Sequence, residues 1–386
     1  MGRMWRGAAA LLVGLMLWLS AAGASAGPPP ADVAGGPPHI TADAAVLIDY
    51  GTGRVLWAKA AQEPRAPAST TKMMTALVAL ERGRADAVVT VSRGAAATPG
   101  SSAHLRPGDR FTLGELLEAL LLRSGNDAAV AIAEHVAGSV PAFAALMNAK
   151  AKDLGLAETH FVNPHGLTAP FHFSSAYDLA LIARAGLRVP AFAEIVRSAE
   201  RQVQGYDAQQ RLISRSLFNT NRLLFSYGWV DGVKTGTTSA AGNCLVASGT
   251  RGGMRLIAVV LHSDDRWGDA VRLLDWGFTH FSYMRPAVAG QVVREVRLAG
   301  ARRHARLPVV AAAPLAVPVS LDELPRLRVT VRLRAGLRAP VEKGEQVGSE
   351  AVLVGDAPLA TVTLVAGAAV PRAPWLLRLW DGIRGA

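Results

Sequence analysis

The sequence predicts an α/β (α+β) protein in which a sheet is covered by helices, followed by a small all-β domain and a short amphipathic helix. Three observations carry this. Strand-like runs at residues 44–58 give way to a long block of helical periodicity, and strands then return at 231–261 before a closing helix. From about Pro286 the segments become short, β-branched and alternating, punctuated by Gly and Pro. The chain has 386 residues, 50% hydrophobic and only 18% charged, enough for two domains with a substantial core.

The elements follow in order. Residues 44–49 and 54–58 read as strands joined by Tyr50-Gly51-Thr52-Gly53, where the glycines suit a tight hairpin. Met73, Leu77 and Leu80 recur at helical spacing after Pro67, so a helix is predicted to begin near Ser69. Residues 88–91 are a short strand and 106–109 a turn. Thr112 with Glu115 forms a capping box for a helix that buries Leu116, Leu117, Leu120 and Leu121. That helix breaks at Ser124-Gly125-Asn126-Asp127 and resumes over 128–136; if the break is a plain helix connection, its cap is Asn126 or Asp127. Residues 141–154 form a helix with Phe143, Leu146 and Met147 inward; 159–167 are a loop; 174–185 are a helix stopped by Gly186. Residues 219–224 are a capped turn. Residues 231–237, 244–248 and 254–261 are strands, the last two joined through Thr250-Arg251-Gly252-Gly253. Residues 266–281 close as a helix with Ala270, Leu273, Leu274 and Phe278 apolar. In the β-rich part, strands are expected at 291–298, 307–310, 315–319, 327–333, 351–354 and 360–365.

Ser69-Thr70-Thr71-Lys72 places a hydroxyl and an amine three residues apart, on the same side of a helix start. Serine is a weak nucleophile without a base to take its proton. A lysine partly desolvated beside the positive end of a helix has a lowered pKa and suits that task. Taken alone, the tetrad reads as a helix cap followed by a solvated lysine, because two fixed positions in four are common; the rest of the chain is what changes that reading. A polar Ser124-Gly125-Asn126 turn between two apolar helices aims polar groups into a cleft, or is a plain helix connection. His165, between Pro164 and Gly166, is either a proton-relay residue or a hydrogen bonder that fixes its loop.

The N-terminus carries Arg3 and Arg6, an apolar run over 8–19 and the small residues Ala24-Ser25-Ala26. This is the pattern of a signal peptide over 1–26, the alternative being an uncleaved N-terminal anchor, although the run is short for a membrane span. Residues 27–39 are a Gly/Pro-rich tether. An exported protein is expected. Its single cysteine, Cys244, excludes an internal disulfide and a multi-cysteine metal site; it is expected as a small buried residue in a strand. The net charge of +11 favours anionic partners such as acidic lipid or wall polymer. The arginines are scattered and no nucleic-acid module is present in the pattern, so nucleic acid is not an expected partner.

Ser69-Thr70-Thr71-Lys72, Ser124-Gly125-Asn126 and Lys234-Thr235-Gly236-Thr237 together resemble the three motifs of the low-molecular-mass penicillin-binding proteins. With Asn163-Pro164-His165-Gly166-Leu167 and Ala240-Ala241-Gly242-Asn243, the chain is similar to serine D-alanyl-D-alanine carboxypeptidases of the penicillin-binding protein 5 type. The similarity covers about residues 40–283, and a weaker likeness in layout runs on through the β-rich part. It implies a penicillin-binding/β-lactamase-like domain at 40–285, built on an antiparallel sheet flanked by helices with an all-helical subdomain. A β-rich domain at 286–371 and an amphipathic membrane-association helix at 372–386 would follow.

The resemblance also implies roles. Ser69 is the nucleophile, Lys72 the general base and Ser124 the proton relay. Asn126 orients Lys72 and binds the substrate amide; Lys234, Thr235, Gly236 and Thr237 bind substrate along a strand edge. Arg266 holds the terminal carboxylate, unless it is an ordinary solvated arginine at a helix start. His165 matches a histidine of the family loop. Neither a metal nor a cofactor is implied. The expected partners are peptidoglycan stem peptides, β-lactam antibiotics and a membrane surface, on the outer face of the cytoplasmic membrane. No glutamate matches a deacylating loop, so β-lactam adducts should persist. A D,D-endopeptidase or β-lactamase on the same scaffold, and a non-catalytic wall-binding protein, are the competing functions. The tail Trp375-Leu376-Leu377-Arg378-Leu379-Trp380 puts its apolar residues on one helical face, which suits either a lipid interface or docking on the β domain.

Overall fold

The computed structural model describes residues 38–302 and 304–374. The expected signal peptide, all but the last two residues of the tether and the tail helix from Trp375 onward lie outside the described residues. In chain order, strands β1 (Ala44–Asp49) and β2 (Val55–Lys59) lead into a 3-10 turn at Ala68–Thr71 and helix α1 (Lys72–Arg82). Strand β3 (Val88–Thr90), helix α2 (Arg93–Ala96), strand β4 (Arg110–Thr112) and helices α3 (Leu113–Leu122), α4 (Asn126–Ala137) and α5 (Val140–Asp153) follow. Then come α6 (Ala176–Leu187), α7 (Pro190–Arg197), β5 (Glu200–Tyr206), β6 (Leu212–Phe218) and α8 (Leu223–Ser226). Strands β7 (Val230–Thr238), β8 (Gly242–Arg251) and β9 (Met254–Leu261) and helix α9 (Arg266–His280) complete this part.

The central sheet is antiparallel, in the order β2-β1-β9-β8-β7, so β7 is an edge. Its inner strands are buried on both faces, and the period of two sorts each strand between two cores. Val46 and Ile48 of β1 and Ile257 and Val259 of β9 face α1 and the helical block. Ala45 and Leu47, with Leu256, Ala258 and Val260, face α9 through Leu273 and Leu274. The β8–β9 hairpin turns on Gly252 and Gly253, both with positive φ (57° and 78°), as a two-residue loop of this hand requires. The Thr112/Glu115 capping box forms as the sequence predicts. The break before α4 is different: its N-cap is Gly125, with no side-chain cap, and Asp127 turns instead to the backbone N–H groups of Ala103 and Leu105. The sequence reading also passed over α7 and the β5–β6 hairpin.

The small domain is all β: β10 (Phe281–Ala287), β11 (Val292–Val296), β12 (Leu307–Ala311), β13 (Leu315–Ser320), β14 (Leu327–Leu333), β15 (Gln346–Val354) and β16 (Ala357–Ala366). Five of these form one antiparallel sheet, in the order β11-β12-β16-β15-β14, and β10 pairs with β13. Val309, Val317, Val347, Val352 and Leu364 fill its core. Two ties join it to the central sheet. Tyr283 Oη donates to Asp49 at 2.6 Å. Arg54 donates to the Pro318 carbonyl at 2.5 Å and pairs with Glu323.

Candidate active site

Ser69 sits in the 3-10 turn rather than in the first turn of α1, a tightening common at helix N-termini. The residue before it, Ala68, is fully buried with φ of 47°, a left-handed conformation that a non-glycine residue adopts at a cost. The turn presents a half-exposed Ser69 beside a buried Lys72. Lys72 Nζ donates to three acceptors: Ser69 Oγ at 2.9 Å, Asn126 Oδ1 at 2.7 Å and the His165 carbonyl at 2.7 Å. Burial holds the Lys72 pKa well below the ordinary lysine value; Lys234 lowers it further and Asp127 opposes the shift.

Asn126 is fixed from behind. Its backbone N–H donates to the Ser101 carbonyl at 2.7 Å, and its Nδ2 donates to the Pro99 carbonyl at 2.6 Å, which turns Oδ1 toward the lysine. Ser124 lies two residues earlier, where α3 has ended. It is 4% exposed, its φ is 61°, and its Oγ has no hydrogen-bond partner among the described residues.

Strand β7 forms the facing wall. Lys234 is 1% exposed, with its Nζ donating to the Thr235 carbonyl at 3.1 Å. Burial, reinforced by Arg266, brings its pKa down to about 7. Thr235 Oγ1 bonds Thr220 Oγ1 at 2.7 Å. Gly236 makes the close approach: a Cβ there would lie 3.0 Å from both Ser69 N and Ala68 Cβ. Thr237 is exposed at the strand end. Arg266, half-buried at the start of α9, donates to Thr237 Oγ1 at 2.8 Å and to the Gly236 carbonyl at 3.1 Å, and stacks on Trp267. It is therefore turned to the end of β7, not outward as a solvated arginine. Because β7 is an edge, its outer N–H and C=O groups are available to an extended peptide.

His165 enters the site through its carbonyl. Its ring Nδ1 accepts from the Leu167 N–H at 3.2 Å, inside its own loop. Burial, then Lys72, brings the imidazole pKa down to about 4, so the ring is neutral at pH 7. The sequence reading missed the backbone acceptors of Pro99, Ser101 and His165, along with Thr168, whose Oγ1 bonds Thr238 Oγ1 at 3.0 Å across the mouth. Cys244 is buried in β8, its thiol donating to the Ala241 carbonyl at 3.4 Å.

Comparison with known proteins assigns the chain to a family. The D-alanyl-D-alanine carboxypeptidase family model (Peptidase S11) matches residues 31–265, and the penicillin-binding protein 5 C-terminal domain matches 281–372. D-alanyl-D-alanine carboxypeptidase DacF of Bacillus subtilis is 36% identical over 319 residues, 80% of each chain. DacC of Escherichia coli is 36% identical over 89% of this chain and 88% of its own. The crystal structure of penicillin binding protein 5 from Haemophilus influenzae superposes with a TM-score of 0.73 at 31% identity, covering 87% of this chain and 99% of that one. With a family match over most of its catalytic half and a second over its β domain, the chain belongs to the serine D-alanyl-D-alanine carboxypeptidases of the penicillin-binding protein 5 type.

Proposed function

We propose that the protein removes the terminal D-alanine from peptidoglycan stem pentapeptides through an acyl-enzyme on Ser69. The observation that carries this is the set of three acceptors around Lys72 Nζ. In the neutral amine, two N–H bonds reach Asn126 Oδ1 and the His165 carbonyl, and the lone pair is left facing Ser69 Oγ. The depressed pKa favours that neutral form. Ser69 then attacks the D-alanyl carbonyl while its proton passes to Lys72. The C–N bond breaks as the leaving amine takes a proton through Ser124, whose Oγ has no partner among the described residues. Water attacks the ester and gives a proton to Lys72, which passes it to Ser69 Oγ as the ester C–O bond breaks, so that serine and neutral amine are both restored.

The substrate lies along β7, and the oxyanion is held by the N–H groups of Ser69 and Thr237, each such donor contributing about 3 kcal/mol. Lys234 supplies positive charge, and Arg266 receives the terminal carboxylate. Penicillin acylates the same serine and leaves slowly. The enzyme is exported to the outer face of the cytoplasmic membrane, with the tail helix resting on the lipid surface. Sedimentation with anionic vesicles, lost on removing the residues after Arg372 without loss of catalysis, tests the tail.

The central test is intact-protein mass after incubation with penicillin. One adduct is expected, and none on a folded Ser69→Ala variant; labelling of that variant would falsify the assignment. A peptide ending in D-Ala–D-Ala should be cleaved some tens-fold faster than its C-terminal amide, the equivalent of about 2–3 kcal/mol for a desolvated charged pair. Equal rates would remove Arg266 from this role.

A further inference from the structure

One buried group close to the reacting pair takes no part in that chemistry. His172 is 4% exposed and stands edge-on to the ring of Phe161. Its Nδ1 accepts from the backbone N–H of Val162 at 3.1 Å, so Nδ1 carries no proton. In the neutral imidazole the proton is then on Nε2, which lies 3.0 Å from Thr71 Oγ1 and donates to it. Burial, with a smaller contribution from His160, holds the His172 pKa down at about 4, consistent with a neutral ring.

Thr71 immediately precedes Lys72, and Val162 begins the turn that delivers the His165 carbonyl to Lys72 Nζ. We propose that His172 is a positioning residue for the Ser69–Lys72 pair: its imidazole clamps the 161–167 loop onto the start of α1 and so fixes the third acceptor of the lysine. The rest of the loop is built to be held there. Thr75 Oγ1 donates to the Pro164 carbonyl at 2.6 Å. Asn163 Oδ1 accepts from the N–H groups of His165 and Gly166. At Gly166, with φ of 89°, a Cβ would fall 1.8 Å from the Ala68 carbonyl oxygen, so loop and nucleophile turn are in backbone contact. A shift of this loop therefore moves both the carbonyl that orients the lysine lone pair and the turn that carries Ser69.

The inference rests on Lys72 acting as the base of Ser69. It is tested by single-turnover acylation with penicillin, separating the non-covalent dissociation constant from the acylation rate constant, on His172→Phe, His172→Gln and Thr71→Val. Glutamine keeps one acceptor and one donor separated by a single carbon, as the imidazole nitrogens are; phenylalanine keeps the shape and removes both. The Phe and Val variants should lose at least about tenfold in the acylation constant with binding unchanged, while Gln stays within about threefold of wild type. The double variant His172→Phe/Thr71→Val should be no slower than the worse single one, because both break the same bridge. If His172→Phe does not fold, Thr71→Val carries the comparison alone. Wild-type acylation in both disrupting variants, equal losses in Phe and Gln, or a loss confined to binding would overturn the inference. Labelling of Ser69→Ala would instead mean that the reading beneath it is wrong.

Discussion

The cleft and the small domain both bury charge, in opposite ways. In the cleft, Lys72 and Lys234 are at most 1% exposed, and neither has a carboxylate in salt-bridge contact among the described residues. Asp127, the acid that acts on Lys72 at longer range, is occupied by the N–H groups of Ala103 and Leu105 and by Ser102. In the small domain, Glu323 is buried but paired with Arg54, and Glu350, 3% exposed with an Oε2 that has no partner among the described residues, stands apart. Burying a cation without a counter-ion is among the most expensive things a fold does, and the usual outcome is a shifted pKa. Both cleft lysines show that outcome. In the cleft, unpaired burial serves the chemistry, making Lys72 a neutral base and leaving Lys234 a cation poised near neutrality; in the small domain, packed chiefly by apolar side chains, Glu350 is the exception.

Three measurements sharpen or break this contrast. The largest effect is expected at the base. Lys72→Ala should slow penicillin acylation by about 10³-fold, the usual scale of a positioned general base, while circular dichroism stays native. A loss under tenfold would mean that the buried amine is structural. The second is a pH effect at Lys234. Its folded pKa of about 7 lies below the ordinary lysine value of 10.5, so between these values the unfolded chain holds the extra proton and stability rises with pH. Wild type should gain about 3 kcal/mol of unfolding free energy between pH 7 and 10 relative to Lys234→Met. Parallel curves would show that Lys234 remains charged in the fold. The smallest is expected in the other half. Burial raises the Glu350 pKa, so Glu350→Gln should stabilise the protein at pH 7 by about 1 kcal/mol or less, with acylation unchanged. A change in acylation rate would give the small domain a share in the chemistry.

What could be read from the sequence follows the same division. Ser69, Lys72, Asn126, Lys234 and Arg266 act through side chains of particular types, and those types at those spacings are visible as letters. The carbonyls of Pro99, Ser101 and His165 act through backbone atoms that every residue possesses, so no letter announces them. His172 escaped because its role depends on a loop returning to α1, ten residues after Val162. The β5–β6 hairpin escaped for another reason. Burial alternates along both strands, but Arg201, Gly205 and Arg215 take inward positions while Tyr206, Leu212 and Phe218 face out, so the letters show no apolar alternation. The central strands, buried on both faces, were plain as continuous apolar runs.

The ties between the two halves have a mechanical consequence. Asp49, fully buried, holds Tyr283, and Arg54, at the start of the next strand region, holds Pro318 and Glu323. Two separate attachments on one hairpin oppose both swing and twist, so the halves turn as one lever. Strand β14 begins four residues after Glu323 and runs for seven residues, about 23 Å at strand rise, toward the loop containing Arg338. That loop is joined to the chain's exit, where Val341 pairs with Val370 and Ala373 bonds Gly300. A load applied to the small domain at this corner is therefore passed through Tyr283, Pro318 and Glu323 to the β1–β2 hairpin, and so to the sheet whose opposite edge is β7.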